Sequence, residues 1–211
     1  MEIFDIYYRK YDDWYEKEFG KSAYELETNC LRKIIPHFNR GLEIGVGTGR
    51  FASRLNVKFG IDISFNMLKV SKERGLIVVK AKGEKLPFRD KFFDLVLIVV
   101  SICFVKDPFL VLKEANRVLA DNGRIVLGLI LSDSPWADYY KSKKDHPIYK
   151  HAIFYSFYEI QVMLELSRFK IDKVLTTLFE KPQEERAISN FEIKEGFHSN
   201  GGFFCIRGLK L

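Results

Sequence analysis

Three glycines stand at alternate positions in the stretch LEIGVGTGRF: Gly45, Gly47 and Gly49, directly behind an apolar run. Glycine loses more backbone entropy on folding than any other residue, so three so close together mark a place that needs bare backbone. One tight turn needs fewer. Backbone without side chains lets a ligand lie against the chain with N–H groups aimed at it. Asp62 ends the next apolar run, VKFGID. A carboxylate after the second strand of an open α/β sheet is placed to accept hydrogen bonds from both hydroxyls of a ribose. The bland alternative for Asp62 is an acid complementing the helix that begins after Ser64.

Spacing narrows the ligand. The dinucleotide fingerprint is G-x-G-x-x-G. This loop reads G-x-G-x-G, and Arg50 stands where the fingerprint has glycine or alanine. The Lys-Ser/Thr pair of a Walker A loop is absent. A ligand without a pyrophosphate fits better. Glycine loop and Asp62 together point to an adenosyl group.

The elements that must position these residues can be read from periodicity. GLEIG is a short strand running into the glycine loop, and VKFGIDI is a second strand. Ser64 caps the helix FNMLKVSKER and Gly75 closes it. LIVVKA is a third strand, and FFDLVLIVVS a fourth, strongly apolar one. Asp107-Pro108 is an N-cap followed by proline at the first helical position. Asp121-Asn122-Gly123 turns the chain into strand five, RIVLGLIL. This alternation predicts an α/β fold with a doubly wound, Rossmann-like parallel sheet and helices on both faces.

Flanking segments differ in character. Phe4, Tyr7, Tyr8, Tyr11, Trp14 and Tyr15 recur at helical spacing and form one stripe. Ser22 and Glu25 read as a capping box opening a second helix that stops before Pro36. Residues 1–39 are therefore expected as an N-terminal helical cap and 40–211 as the core. Residues 132–155 read as an irregular, aromatic and basic insertion, long for a connection and expected as a substrate lid. Ser156 and Glu159 form a second capping box. KIDKVLTTLFE reads as strand six, and GGFFCIRGLKL as a last, antiparallel strand.

The motifs LEIGVGTGR, GIDIS, GEKLPF, FDLV and VLKEANRVLADNGRIVL occur in the order found in class I S-adenosylmethionine-dependent methyltransferases. The chain most resembles their small-molecule, ubiquinone/menaquinone-biosynthesis-type (type 11) branch, over roughly residues 40–131 and more weakly to 179. The resemblance implies seven strands with the last antiparallel, S-adenosyl-L-methionine as cofactor and S-adenosyl-L-homocysteine as product. It implies that Glu43, Gly45, Gly47 and Gly49 hold the methionine and ribose end, and that Asp62 binds the ribose. Ile63 would pack on adenine, Gly83 and Glu84 would flank it, and Ser101 would lie beside the methyl group. The family commonly has an aspartate before Gly83 that accepts from the adenine amino group. Here that position is Lys82.

Methyl transfer from a sulfonium displaces an already activated leaving group, so it needs alignment and exclusion of water more than a catalytic set. A base is needed only if the nucleophile arrives protonated. His146, His151 and Tyr11 are the candidates for that role. Trp14, Trp136, Tyr139, Tyr140 and Tyr149 are candidate substrate contacts, suited to an apolar, aromatic or amine small-molecule acceptor. Three alternatives stand beside this reading: an RNA methyltransferase, a non-catalytic protein of the same fold that binds the cofactor, and a nicotinamide oxidoreductase, which Arg50 disfavours.

Bulk properties exclude other classes. The chain has 211 residues and 34 Lys+Arg against 28 Asp+Glu, a dispersed excess of +6 that argues against nucleic acid. Ser101-Ile102-Cys103-Phe104 lacks the Asn/Asp-Pro-Pro-aromatic sequence of amino-methyltransferases acting on nucleobases. Cys30, Cys103 and Cys205 are scattered and odd in number, as buried free thiols would be, and no metal-ligand spacing occurs. The apolar run near Leu95 is too short to span a bilayer. A cytoplasmic monomer or homodimer, with no membrane partner, is the expectation.

Overall fold

A computed structural model describes residues 3–211. Its centre is one eight-stranded sheet in the order β3-β2-β1-β4-β5-β8-β6-β7. The parallel strands are β1 (Gly41–Ile44), β2 (Phe59–Asp62), β3 (Ile77–Lys80), β4 (Phe93–Val99) and β5 (Leu119–Leu129). β6 (Phe169–Thr177) and β8 (Phe203–Lys210) complete the sheet, with β8 antiparallel to both β5 and β6. The expected doubly wound sheet with a final antiparallel strand is what forms. The eighth strand is a two-residue edge piece, β7 (Lys194–Glu195), antiparallel to β6. Strand order reverses between β1 and β4, which opens a crevice outside their carboxyl ends.

Both faces of the sheet are covered. Leu95, Leu97 and Val99 of β4 join one buried cluster, and Val96 and Ile98 join the other. β8 divides likewise, Phe203 and Cys205 against Phe204 and Ile206. Two-sided burial explains why these strands read as continuous apolar runs rather than alternating ones. α5 (Pro108–Val118) and α7 (Phe157–Leu166) cover one face. α2 (Glu18–Ile34), α3 (Arg50–Arg54), α4 (Phe65–Glu73) and α6 (Pro135–Ser142) supply the other cluster. α1 (Ile3–Trp14) buries no residue fully and lies across α4. All three cysteines are free and buried. Among the described residues no helix is long and apolar enough to cross a membrane.

Several caps form as the residues dictate. Ser64 accepts from Met67 N–H, Asp107 from Leu110 N–H, and Ser156 with Glu159 closes a reciprocal capping box. Two expectations are corrected. Ser22 does not open α2; the helix starts at Glu18, and Ser22 lies inside it. Phe19 draws the helix back by burying its ring against Trp136, and Ser22 instead donates to the Phe19 carbonyl and accepts from Ile188 N–H. Residues 132–155 are not irregular throughout. They contain α6, started by Ser134 and Pro135, and a single 3-10 turn, Tyr149–His151.

Candidate functional site

The three glycines serve three purposes. An added Cβ on Gly45 would stand 2.5 Å from Ser101 Cβ. Ser101, just past β4, donates its hydroxyl to the Ile44 carbonyl at 2.9 Å. Gly45 thus lets β1 and β4 close together at the switch point. A Cβ on Gly49 would meet Leu76 Cδ1 at 2.6 Å and Ser71 Oγ at 2.9 Å, so this glycine seats α3 against α4. Only Gly47 faces open space: its nearest neighbours would be Met67 Sδ and a Tyr11 ring carbon, both at 3.9 Å.

That space is a cavity of about 1100 Å³. Gly45, Gly47, Asp62, Ile63, Gly83, Glu84 and Ser101 all line it, so the structure brings seven of the expected cofactor contacts together. Asp62 Oδ2 accepts from Gly47 N–H at 2.9 Å and Oδ1 from Ser64 N–H at 2.8 Å. Burial raises the Asp62 pKa, against the pull of these N–H donors. Each carboxylate oxygen keeps a lone pair for a ribose hydroxyl. A glycine open to the cavity beside a half-satisfied carboxylate fits an adenosyl group.

Glu43 and Gly49 do not reach the cavity. Glu43 is 1% exposed, and its Oε2 finds no hydrogen-bond partner. Burial pushes its pKa well up. Glu84 lines the wall, but its Oε1 is engaged by the N–H groups of Lys106 and Asp107 at 3.2 and 3.4 Å. It ties the loop after β3 to the start of α5. Glu114 and Arg117 of α5 hold the same loop further along. Glu114 accepts from Leu86 N–H, and Arg117 donates to the Leu86 and Phe88 carbonyls. Lys82 lines the cavity at the position where the family carries an acid.

α1 roofs the glycine loop and is fastened at both ends. Asp5 accepts from Ser64 Oγ–H at 2.7 Å and from Asn66 N–H at 3.0 Å, at the first turn of α4. Asp12 accepts from Thr48 Oγ1 at 2.7 Å, Arg50 Nε at 2.7 Å and Arg74 Nη2 at 2.8 Å. Burial opposes its ionisation, but these donors outweigh burial and bring its pKa down to about 2. From this roof Phe4, Tyr7, Tyr11 and Trp14 face the cavity, while Tyr8 does not.

The far wall is aromatic as well. Tyr140 of α6, His146 and Tyr149 line it. Trp136 does not: it is 1% exposed, stacked on Phe19, with its indole N–H on the Glu180 carbonyl at 2.8 Å. Tyr139 packs under Lys143, outside the cavity. His151 is exposed and also outside it. His146 Nδ1 accepts from the N–H groups of Ile148 and Tyr149, both at 3.3 Å, so Nε2 carries the proton of the neutral ring. Its lone pair is already used within its own loop. Tyr11 shares a hydrogen bond with Tyr15 at 3.0 Å, and burial raises its pKa. Neither is poised as a base.

One lining residue carries no motif. Glu27 of α2 is 5% exposed and reaches the cavity. Burial alone pushes its pKa to about 8, with no hydrogen bond offsetting the cost. Among the described residues no cluster of His, Cys, Asp and Glu suits a metal ion.

Comparison with known proteins gives three kinds of match. The methyltransferase domain family matches residues 42–127. An uncharacterised protein of Methanocaldococcus jannaschii is 41% identical over 212 residues, spanning the whole of both chains. A demethylmenaquinone methyltransferase of Staphylococcus aureus is 35% identical over 99 residues, 41% of each chain. Among solved structures, a Thermotoga maritima S-adenosylmethionine-dependent methyltransferase, described as a possible histamine N-methyltransferase, superposes with a TM-score of 0.92. It is 36% identical and covers 100% of this chain and 99% of that one. The match spans the segments of the roof and far wall as well as the nucleotide loop. The chain belongs to the S-adenosylmethionine-dependent methyltransferases, and S-adenosylmethionine is its cofactor.

Proposed function

We propose that the methyl acceptor is a small molecule enclosed between α1, the Tyr149 region and α2. The observation that carries this is the size and cover of the cavity. At about 1100 Å³ it exceeds the roughly 300–1,000 Å³ usual for one ligand, leaving room for a second molecule beside the cofactor. Its walls beyond the nucleotide loop are aromatic, and α1 closes it over the glycine loop, which disfavours a polymer strand.

In this reading Gly47 and Asp62 hold the ribose end, and Ile63 with residues 81–84 flanks adenine. Glu84 acts by fixing the loop, and Ser101 holds the ends of β1 and β4 together beside the reacting carbon. The bound cofactor supplies an electrophilic methyl on a positive sulfur. The protein supplies position, an apolar wall and exclusion of water. Trp14, Tyr140 and Tyr149 contact the acceptor, while Trp136 and Tyr139 support the wall from behind.

Incubation with methyl-labelled S-adenosylmethionine and separate pools of metabolites, RNA and protein tests the reading. Label is expected in the metabolite pool. Label in RNA or protein alone would overturn it.

A further inference from the structure

We propose that the acceptor is a cationic amine and that the Glu27 carboxylate receives it inside a cage of tyrosines. This rests on the small-molecule reading above and names the substrate class. A buried carboxyl is retained when it is paired, hydrogen-bonded or used. Glu27 is neither paired nor hydrogen-bonded: burial is the one influence on its acidity. The groups that feel its charge are the phenols of Tyr11, Tyr15 and Tyr140 and the thiol of Cys205. All four are neutral, and burial raises the pKa of each. The cations that line the cavity, Lys10, Lys82 and Lys106, leave the Glu27 carboxyl unperturbed. Buried alone, the carboxyl keeps its proton, and a bound ammonium supplies the counter-charge that lets it ionise.

The surroundings suit that ligand. Tyrosine faces attract a cation through the ring quadrupole, and most strongly where water is excluded. Tyr140 and Tyr149 pack with ring centroids 4.4 Å apart, and Tyr11 and Tyr15 with centroids 5.3 Å apart. The rings are therefore packed against one another before anything binds. A quinol or other neutral acceptor would leave this carboxyl facing it without an ionic partner.

The step balances. As an ammonium R–NH3+ enters, the Glu27 carboxyl releases its own proton to water and pairs with it; the ammonium then passes one proton to the carboxylate, which becomes a neutral carboxyl again. The nitrogen lone pair then forms the N–C bond as the C–S bond breaks, its electron pair passing to sulfur. The product leaves as R–NH2–CH3+ with a neutral thioether, and Glu27 is left as the neutral carboxyl it was at the start. A Glu27 pKa of about 8 lets the carboxyl hold and release that proton near neutrality.

The test measures binding, with S-adenosylhomocysteine present, of 2-phenylethylamine, tryptamine and 4-phenylbutylamine, each against the alcohol of the same skeleton. The wild type should favour the amines, and E27Q should lose roughly tenfold to a hundredfold of that preference. S-adenosylhomocysteine affinity should be unchanged in E27Q, which shows that the fold persists. E27D, which keeps the charge, should retain part of the preference. A wild type that binds amines and alcohols equally, or binds no amine, overturns the amine assignment. So does an E27Q variant that keeps the preference. If a neutral metabolite is methylated instead, the proposed function stands and this inference falls.

Discussion

Asp12 on the roof helix accepts a hydrogen bond from Arg50 Nε at 2.7 Å, across 38 positions of chain. Arg50 is the residue that sets the glycine loop apart from a dinucleotide fingerprint, and its structural role is to fasten α1 over that loop. The same aspartate takes Arg74, so its removal would leave two guanidinium groups side by side without their shared anion. Asp12→Ala is expected to loosen α1 and leave the sheet intact. S-adenosylhomocysteine should dissociate faster, because lid opening commonly sets release. Stopped-flow release rates with limited proteolysis at residues 3–17 measure this. Unchanged release and unchanged cleavage would show that the ion pair is not a latch.

The latch also has a pH signature. Asp12 has its pKa depressed to about 2 in the folded chain, below the 3.8 of an ordinary aspartate. Such a group stabilises the fold above the unfolded value, and that contribution disappears as pH falls through the folded one. The hold of α1 should therefore be constant down to about pH 4 and fail between about pH 4 and 2. Partial exposure of the pair screens it, so the effect on global stability is small. Hydrogen exchange of α1 amides against pH reads it directly.

Asp62→Ala should raise the S-adenosylhomocysteine dissociation constant by roughly tenfold to a few hundredfold, since hydrogen bonds to a charged acceptor contribute about 1.5–3 kcal/mol. The structure adds a second consequence. Asp62 also receives Gly47 N–H and Ser64 N–H, so the variant should loosen the glycine loop and lower the melting temperature. Calorimetric titration and a melting curve separate the two effects. Unchanged affinity in a folded variant removes Asp62 from the site.

Glu27 makes a stability prediction independent of any substrate. Its folded pKa of about 8 lies above the ordinary 4.5, so the folded state binds the proton more tightly than the unfolded chain. Stability should fall as pH rises from about 4.5 to 8, by up to about 1.4 kcal/mol per pH unit from this group. E27Q removes that dependence. Melting temperatures of variant and wild type should coincide near pH 4 and diverge toward pH 8, with E27Q the more stable. Parallel curves would show that Glu27 is ionised at no cost. Glu43 shares the trend and stays in both proteins, so the difference between them isolates Glu27.

Much of this molecule was legible in the sequence because local rules and the global fold agree. Alternating strands and helices, Asp107-Pro108 and Ser64 each acted where their residue type predicts. Errors arose where tertiary packing overrode a local pattern, as when Phe19 extended α2 past Ser22. The Ser134-Pro135 start of α6 was legible by the rule applied to Asp107-Pro108, but the surrounding aromatics obscured it. The three glycines could be recognised as a group and not assigned individually, since their neighbours Ser101, Ser71 and Leu76 are remote in sequence. Glu27 carried a signal that periodicity could have found. It sits three and four residues from Tyr24, Ala23, Cys30 and Leu31, all buried, on the apolar face of its helix. A charge on such a face has a reason to be there.

The far wall offers the sharpest separation of structure from function. Trp136 and Tyr149 both belong to the stretch 132–155 and both are large aromatics, but only Tyr149 lines the cavity. Trp136 fills the core beneath the wall, stacked on Phe19 with centroids 5.6 Å apart. Its truncation to alanine should cost about 3–5 kcal/mol, the range for a large buried aromatic, and activity should fall only as the protein unfolds. Tyr149 is partly exposed, lines the cavity and stacks on His146 at 4.2 Å. Tyr149→Ala should lower stability less, because its ring is not enclosed on all sides. S-adenosylhomocysteine affinity should stay close to that of the wild type, since the ribose and adenine contacts lie after β1, β2 and β3. KM for the acceptor should rise, because one wall of its site is missing. Melting temperature, cofactor affinity and acceptor KM on this pair of variants decide the matter. If Tyr149→Ala lost stability and turnover in step, as Trp136→Ala should, the wall would be structure alone, and the acceptor would have to bind elsewhere.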